Sequence, residues 1–586
     1  MSARGFLLLY FSCACVPLLL ASISPNSDTI PNVATKDRTL PKHIGGEDVE
    51  KPAENPRPPS KLHFHGKDTK TPKLPKHLLG TSSESEEKPH TVHKRSILPQ
   101  HIVEKLYKGR PQEGQTKLLT DRPFWKPWKP HQFGQLTAKD CPAGDPLILT
   151  PLIRNGNISE AQQLARVRLP GTDIVSYSGY FTVNQSDSSN LFFWFFPAEV
   201  AVPEDAPVLL WLQGGPGATS MFGLFDEHGP WSLTADFQLK PRDYRWSLLA
   251  NVIYIDNPVG TGFSFTKTDA GYARNEDQVG KNLYEALLQF YEMFPQYQQG
   301  SLYVSGESYA GKYVPALGYT IHVNNPKAPL KLPFKGCAFS GSPLYGIALG
   351  NGFVDPENML DFGDLLYSLG MADINEAEYL RNETLLIQAA IRAGNFREAF
   401  NIEDPLVDGD IWKYPTYFYN ITGSRFYYNF LLSADPEGLA YYWQYVNQCY
   451  VRKALHVGNQ IFDGGVKVEQ FLLEDIFQTA KNYLVPLLEN YRVLIYNGQL
   501  DIICALPFTE KYLELLDWKG AADYKKSTKY IWKVEDSDVE PAGYVRHSGE
   551  FYQVAVRRAG HMVPYDQPRF AFDMIYRFLY GQTFHN

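Results

Sequence analysis

Short strand-like runs and longer helix-like runs alternate along the chain after residue 140. Residues 208–212, 251–255 and 302–305 are predominantly apolar runs of the length typical of buried strands. The apolar residues between the second and third runs recur at helical spacing and are Val279, Leu283, Leu287, Phe290 and Phe294. Pro295 then ends the helical pattern. This alternation predicts an α/β fold with a mostly parallel central sheet flanked by helices.

Two other regions have a different pattern. From about residue 356 to 450 the strand rhythm gives way to helical and aromatic segments, which predicts a helical insertion that we call the cap segment. Residues 23–135 are rich in Pro, Lys, His and Ser and have few regular apolar periods, which predicts a flexible extension. We therefore expect one folded domain over residues 136–586, with the cap segment inserted in it.

A serine lies where the third strand-like run passes into a helical pattern. The run ends in the sequence GESYAG, residues 306–311, which contains Ser308. A serine on a sharp strand-to-helix turn has an exposed hydroxyl with helix N-terminal amides nearby, as in the nucleophile turn of an α/β-hydrolase. Ala310 stands where the strict G-x-S-x-G pattern has glycine, so the turn alone is weak evidence for a nucleophile.

An acid and a base follow the serine in the chain order of that fold. Residues 492–501 form an apolar strand and a polar turn ending at Asp501, and residues 553–561 form a strand and a Gly-His loop ending at His561. The other histidines after the serine lack a glycine-flanked loop directly after a strand, and they are His322, His456, His547 and His585. Ser308, Asp501 and His561 are therefore the predicted catalytic triad.

Five motifs in this chain resemble the serine carboxypeptidase family, and most closely its vitellogenic carboxypeptidase-like branch. They are WLQGGPG at 211–217, GLFDEHGP at 223–230, DNPVGTGFS at 256–264, GESYAG at 306–311 and GHMVPYDQP at 560–568. The similarity extends over roughly residues 144–583. It implies an α/β-hydrolase fold that removes C-terminal residues from peptides through an acyl-enzyme, without a metal or another cofactor.

The residues of these motifs can be given chemical roles. His561 would take the Ser308 proton and return it to the leaving amine, while Asp501 holds the imidazole in the useful tautomer. The backbone amides of Tyr309 and Gly215 are the expected oxyanion donors, because glycine lets the backbone approach the reacting carbonyl closely. Loss of one such donor typically costs about 3–4 kcal/mol in the transition state.

The resemblance places Trp211, Gln213, Glu227 and Glu307 around the terminal carboxylate of the substrate, and none of the motifs contains an arginine. Ionising both of two adjacent carboxyl groups is energetically unfavourable, so at least one keeps a proton and can donate to a carboxylate. Activity should therefore favour acidic pH, while the need for a neutral His561 sets the acid limb. The wider family usually has asparagine where this chain has Gln213, whose amide reaches one carbon further.

Features near the N-terminus point to the secretory pathway. An apolar run after Arg4 predicts a signal peptide over residues 1–22, and no later segment is long and apolar enough to span a bilayer. Candidate glycosylation sequons begin at Asn157, Asn184, Asn382 and Asn420. We expect a secreted or lysosomal glycoprotein without integral membrane association.

Charge separates the extension from the rest of the chain. Of 56 Lys/Arg and 64 Asp/Glu residues, positions 30–130 hold 20 and 12, which leaves 36 and 52 elsewhere. A basic extension could associate with the acidic domain and restrain it, and Lys94-Arg95 could be a dibasic site that releases a propeptide; the alternative is a plain flexible extension. No nucleic-acid-binding fold surrounds the basic region, so nucleic acid is not an expected partner. The oligomeric state is left open.

Four cysteines remain after signal cleavage, and their connectivity is left open by the sequence; they are Cys141, Cys337, Cys449 and Cys504. Ala218 occupies a position where the wider family often has cysteine. Several family members carry a free cysteine near the active site where Cys504 lies, so mercurials are expected to inhibit; a buried inert thiol is the alternative. Met562, beside the base, is expected to line the leaving-group pocket.

Residues 337–346 interrupt the family pattern, in which a Lys-Gly pair runs almost directly into a strand like the one at Ile347. The segment is either a genuine extra loop or an imperfect exon boundary. Two other functions stay open. Water and a small alcohol compete for the same acyl-enzyme, so the site also suits a serine carboxypeptidase-like acyltransferase. A catalytically inert storage or binding protein on the same fold is the third possibility.

Overall fold

The computed structural model describes residues 142–334, 345–409 and 415–584. The predicted signal peptide, the extension with its dibasic pair, and most of the segment 337–346 lie outside these residues. The same holds for Cys141 and Cys337.

The described residues form fourteen strands: β1 (Tyr177–Asn184), β2 (Ser189–Phe196), β3 (Val208–Leu212), β4 (Trp231–Leu233), β5 (Leu239–Pro241), β6 (Asn251–Ile255), β7 (Thr261–Gly262), β8 (Leu302–Glu307), β9 (Gly346–Gly350), β10 (Asp463–Gly464), β11 (Arg492–Gly498), β12 (Tyr530–Trp532), β13 (Gly543–Ser548) and β14 (Phe551–Val556). Ten of them make one sheet in the order β1-β2-β6-β3-β8-β9-β11-β14-β13-β12, while β4 pairs with β5 and β7 pairs with β10.

The middle of the large sheet is parallel. Strands β6, β3, β8, β9, β11 and β14 pair in parallel, whereas β1, β2, β13 and β12 add antiparallel edges. The register sets Trp211 opposite Ser305 and Glu307 opposite Gly350. The carboxyl ends of the parallel strands therefore meet at one edge of the sheet, where open α/β sheets bind their ligands.

The described residues also form sixteen α-helices: α1 (Thr150–Arg154), α2 (Ile158–Ala165), α3 (Glu276–Met293), α4 (Ala310–Asn324), α5 (Phe362–Ser368), α6 (Ile374–Arg392), α7 (Phe396–Glu403), α8 (Tyr417–Thr422), α9 (Tyr441–Val446), α10 (Cys449–Ala454), α11 (Val466–Ile476), α12 (Lys481–Asn490), α13 (Leu506–Leu515), α14 (Ala521–Lys526), α15 (Val563–Asp566) and α16 (Pro568–Tyr580). None of the helices in this part of the chain is long and apolar enough to cross a membrane.

Both faces of the central strands are covered. Along β3, Val208, Leu210 and Leu212 pack in one hydrophobic cluster, while Leu209 and Trp211 pack in a second cluster on the other face. Burial on two faces accounts for continuous apolar runs instead of alternating ones. The predicted α/β fold and its three early strands are confirmed, although the third strand continues to Glu307.

The chain between β9 and β11 is mainly helical. Its described residues run from α5 to α12 and include one strand, the two-residue β10. The cap segment, residues 356–450, lies within this part and contributes helices α5 to α9 and the start of α10. An irregular stretch between α8 and α9 contacts the loops that follow β11 and β14.

Candidate active site

Ser308 lies on the sharp turn between β8 and α4. Its backbone has φ of 64°, a left-handed conformation that residues other than glycine rarely adopt. The surroundings hold it there: the Ser308 amide donates to Gly350 O at 3.0 Å, and the Ser308 carbonyl accepts from Gly311 N at 2.8 Å and from Phe353 N at 2.9 Å. This strained strand-to-helix geometry is typical of a nucleophile turn.

The glycine-rich loop after β3 packs directly on this turn. A Cβ atom at Gly214 would lie 2.5 Å from the Tyr309 nitrogen and 2.6 Å from the Ser308 Cβ atom, so no larger residue fits. Gly215, the predicted oxyanion donor, follows with φ of 105°. The structure thus brings the loop of Gly215 and the amide of Tyr309 together beside Ser308. Sequence reasoning overlooked the packing role of Gly214.

Asp501 and His561 lie at the carboxyl ends of β11 and β14. His561 Nδ1 donates to Asp501 Oδ2 at 2.8 Å, and the same oxygen accepts from Asn351 Nδ2 and Cys504 N. Both side chains are buried. His561 Nε2 has no hydrogen-bond partner among the described residues. The imidazole is thereby held with its Nδ1 protonated and its Nε2 available to act as a base.

Asn351, which sequence reasoning did not single out, completes the support of the acid. It follows β9, the strand between those that carry Ser308 and Asp501, and its backbone has φ of 42°. Its Nδ2 donates to Asp501 Oδ2 at 2.7 Å, and its Oδ1 accepts from Gly498 N at 3.1 Å. In the sequence, the polar Asn351-Gly352 pair directly after an apolar strand could have indicated this residue.

Asn351→Ala is expected to lower kcat about 10- to 100-fold, because the buried Asp501 carboxylate loses a hydrogen bond that contributes about 1–3 kcal/mol. Steady-state kinetics on a blocked dipeptide would measure the loss. Asn447→Ala serves as the control, because Asn447 is half-buried and its side-chain amide bonds Trp443 and Arg452. Equal kcat in Asn351→Ala and in the parent would contradict the supporting role.

The predicted carboxylate-binding residues form one buried chain. Trp211 Nε1 donates to Gln213 Oε1 at 3.0 Å, and Gln213 Nε2 donates to Glu307 Oε1 at 2.9 Å. The Glu227 carboxyl interacts with Glu307 and Gln213, but the geometry falls short of a well-formed hydrogen bond. Both Glu227 oxygens and Glu307 Oε2 are therefore buried without a satisfied partner in the described part of the chain.

Burial makes this pair of carboxyls retain protons. It raises the pKa of Glu227 to about 8. Burial also raises the pKa of Glu307 well above its usual range, and the neighbouring Glu227 charge raises it further. At acidic and neutral pH the pair accordingly holds at least one proton beside Ser308.

The helical turn Gly223–His228 that carries Glu227 has two further supports that sequence reasoning missed. His228 is buried, stacks on Trp246 with ring centroids 3.8 Å apart, and bonds Tyr254 Oη through Nδ1 at 3.1 Å. Burial lowers the pKa of His228 well below its usual value, so the ring stays neutral. Arg242 Nη2 donates to Phe225 O at 2.5 Å, and the Arg242 guanidinium interacts electrostatically with Glu227. This arginine lies outside the five motifs.

Cys504 is a buried free thiol on the loop of Asp501, the predicted acid, and its amide donates to Asp501 Oδ2 at 3.2 Å. Burial, followed by the Asp501 charge, raises the pKa of the Cys504 thiol well above its usual value. Because the thiolate is the reactive form, thiol reagents are expected to react only slowly at neutral pH. Timed mercurial inactivation of the parent and of Cys504→Ala would measure this; rapid inactivation lost in Cys504→Ala would contradict it.

The other residues singled out from the sequence differ in their exposure to solvent. Met562 is buried and follows His561 directly. Asn157 and Asn420 are exposed, whereas Asn184 and Asn382 are half-buried. Cys449 takes part in a disulfide bond, unlike Cys504.

Fold and site together define a class of protein. A strained serine, a buried histidine and a buried aspartate lie on loops at the carboxyl ends of parallel strands in an α/β-hydrolase fold, which is the arrangement of a serine hydrolase. Residues 169–581 match the serine carboxypeptidase family, Peptidase S10. The chain belongs to this family, and the resemblance expected from the motifs is confirmed.

Individual relatives support the same assignment. Human probable serine carboxypeptidase CPVL is 50% identical over 442 residues, which cover 75% of this chain and 90% of that protein. The venom serine carboxypeptidase of Apis mellifera is 46% identical, with coverage of 76% and 94%. The vitellogenic carboxypeptidase of Aedes aegypti is 41% identical, with coverage of 78% and 95%.

A solved structure shows the same fold. Kex1Δp, a prohormone-processing carboxypeptidase from Saccharomyces cerevisiae, matches with a TM-score of 0.59 and 23% identity, over 72% of this chain and 95% of that chain. With the family assignment, the chain is a serine carboxypeptidase that acts on peptides.

Proposed function

We propose that this protein removes C-terminal residues from peptides at acidic pH, with Ser308, Asp501 and His561 as its catalytic triad. The observation that carries the proposal is the buried carboxyl pair Glu227 and Glu307. Glu307 directly precedes Ser308, and three oxygens of the buried pair make no well-formed hydrogen bond to the described residues. Such a pair can donate to the terminal carboxylate of a peptide, which an endopeptidase has no need to recognise.

In the proposed reaction the peptide bond is cleaved through an acyl-enzyme. Ser308 Oγ attacks the carbonyl carbon before the terminal residue, and its proton moves to His561 Nε2. The amides of Tyr309 and Gly215 stabilise the oxyanion. The C–N bond then breaks as His561 returns the proton to the leaving nitrogen, which releases the terminal amino acid and leaves an acyl ester on Ser308. Water attacks the ester, His561 takes its proton, and the shortened peptide leaves as Oγ regains the proton.

Substrate orientation comes from the buried chain that ends at Glu307. Gln213 is held by Trp211 on one side and by Glu307 on the other. Both ends of its amide are therefore fixed, although its side chain is longer than that of the asparagine usual in the wider family. We assign Trp211, Gln213, Glu227 and Glu307 to recognition of the terminal carboxylate. Met562, next to the base, would contact the leaving residue.

The cellular setting forms part of the proposal. A signal peptide over residues 1–22 and sequons at Asn157, Asn184, Asn382 and Asn420 suit a glycoprotein of the secretory pathway, either secreted or lysosomal. The word venom in the name of one relative agrees with secretion. The basic stretch 23–135 would be a propeptide cleaved near Lys94-Arg95 that precedes a catalytic domain over 136–586.

Folded-state stability is expected to be greater in acid than at neutral pH. Burial raises the pKa of Asp226 and Asp256 to about 7 and of Glu227 and Glu469 to about 8, whereas unfolded carboxyls ionise near about pH 4. Between the unfolded-state and folded-state pKa values, the folded protein binds more protons than the unfolded chain, so its stability falls as pH rises. We expect the unfolding temperature to be roughly 5 °C higher at about pH 5 than at about pH 7.5.

Scanning calorimetry across this pH range would measure the change. Glu469→Gln removes one of the titrating carboxyls and should flatten the dependence, whereas Glu474→Gln, exposed on the same helix α11, should not. An unfolding temperature that rises towards neutral pH would contradict the expectation.

The test of the proposed function uses the purified full chain, before and after cleavage near residue 95. N-blocked dipeptides at several pH values would be incubated with the protein and with Ser308→Ala, and labelling by an organophosphonate would be followed. Acid-favoured release of the terminal amino acid that is lost in Ser308→Ala is the expected result. Labelling with acyl transfer to an added alcohol in place of release would indicate an acyltransferase, and no labelling would indicate an inert scaffold.

A further inference from the structure

An irregular stretch of the cap segment, residues 427–430, crosses the loops that carry the catalytic acid and base. It lies between α8 and α9 and belongs to neither a helix nor a strand. Its contacts with the two loops are mostly backbone hydrogen bonds, which hold main-chain positions independently of side-chain rotamers. We call residues 427–430 the strap.

The strap binds the loop of the acid on both sides of Asp501. Ile502 N donates to Tyr427 O at 3.1 Å, and Phe430 N donates to Leu500 O at 2.9 Å. The two residues that flank the carboxylate are therefore each tied to the cap segment. Displacement of the strap would change the position of Asp501.

The strap also binds the loop of the base. His561 N donates to Tyr428 O at 2.6 Å, and the Tyr428 ring lies 5.0 Å from the imidazole. One carboxylate oxygen, Asp566 Oδ2, accepts from Gly560 N at 2.6 Å and from Asn429 Nδ2 at 3.0 Å. Asp566 thus joins the strap to the residue that precedes the catalytic histidine.

The two loops are in turn joined to each other, because Leu500 N donates to Ala559 O at 2.8 Å. A Cβ atom at Gly498 would lie 2.0 Å from Gly560 O, so the loops touch without room for adjustment. Strap, acid loop and base loop form one connected unit. A displacement of catalytic groups by about 1 Å can cost about 100-fold in rate, so such a unit has a direct effect on turnover.

We propose that the strap positions His561 against Ser308, with Asn429 and Asp566 as its positioning residues. This inference rests on the triad of the proposed function and extends it to a segment distant in sequence. Neither residue touches the reacting atoms. Their side-chain hydrogen bond can be removed by substitution, whereas the other hydrogen bonds from the strap to the two loops are made by the backbone.

The experiment compares Asn429→Ala, Asp566→Ala and the double variant in the full, processed chain. Each single change is expected to lower kcat about 10- to 100-fold with KM within about twofold, since the substrate pocket stays intact. The double variant should be no slower than the worse single variant, because the two residues act as a unit. Asp566→Asn keeps an acceptor oxygen for Gly560 N and should recover most of the kcat lost in Asp566→Ala.

Asn447→Ala is the matched control, since that cap asparagine also uses both ends of its amide, but its partners Trp443 and Arg452 lie outside the loops of Asp501 and His561. The thermal unfolding of all variants would be compared with it. Parental kcat in Asn429→Ala, a loss no greater than that of Asn447→Ala, or a change in KM alone would each overturn the proposal. Failure of the triad is distinguishable, because the parent itself would then not be labelled by an organophosphonate.

Discussion

Asp501→Asn is expected to lower kcat about 10⁴-fold while the protein stays folded. Asp501 Oδ2 accepts from three donors: Asn351 Nδ2, Cys504 N and His561 Nδ1. An amide at this position either directs its NH₂ group at the Ile503 amide or turns it towards His561. In the second orientation the imidazole must accept through Nδ1, so Nε2 carries the proton and cannot act as a base.

Single-turnover hydrolysis and the rate of organophosphonate labelling would measure this effect. Ser308→Ala provides the baseline, since it removes the nucleophile. Circular dichroism and thermal unfolding would confirm that Asp501→Asn folds like the parent. A loss of less than about tenfold would show that another group orients the histidine.

Activity on peptides with a free C-terminal carboxylate is expected to fall about tenfold per pH unit once the Glu227–Glu307 pair loses its proton. Burial raises the pKa of both carboxyls, so the pair is protonated at low pH and ionises as pH rises. The ionised pair repels the substrate carboxylate. The decline therefore belongs to the alkaline side of the profile and should be seen in kcat/KM.

C-terminally amidated dipeptides are the matched control, because they lack the repelled charge and should not follow this limb. Glu307→Gln keeps a donor that cannot ionise at this position and should move the alkaline limb to higher pH for the free carboxylate. An identical alkaline decline for both substrate types would show that the Glu227–Glu307 pair does not recognise the terminal carboxylate.

Local pattern was sufficient for the fold class, and it located the three residues of the predicted triad. Strand-like runs that pass into turns marked the positions of Ser308, Asp501 and His561, because the end of a buried strand is encoded by neighbouring residues. The Gly-rich run after β3 marked the predicted oxyanion loop in the same way. The structure places all these residues at one edge of the sheet.

Other parts of the site depend on which strands become neighbours. Asn351 reaches Asp501 only because β9 lies between β8 and β11. The Asn429–Asp566 bond spans 137 positions of sequence, and Glu227 acquires its raised pKa through burial beside Glu307. Hydrophobic periodicity shows which side chains of a segment face solvent and which face the core, and this is a local property. Strand order, burial depth and contacts between distant loops arise from packing of the whole chain, so only the tertiary structure decided them.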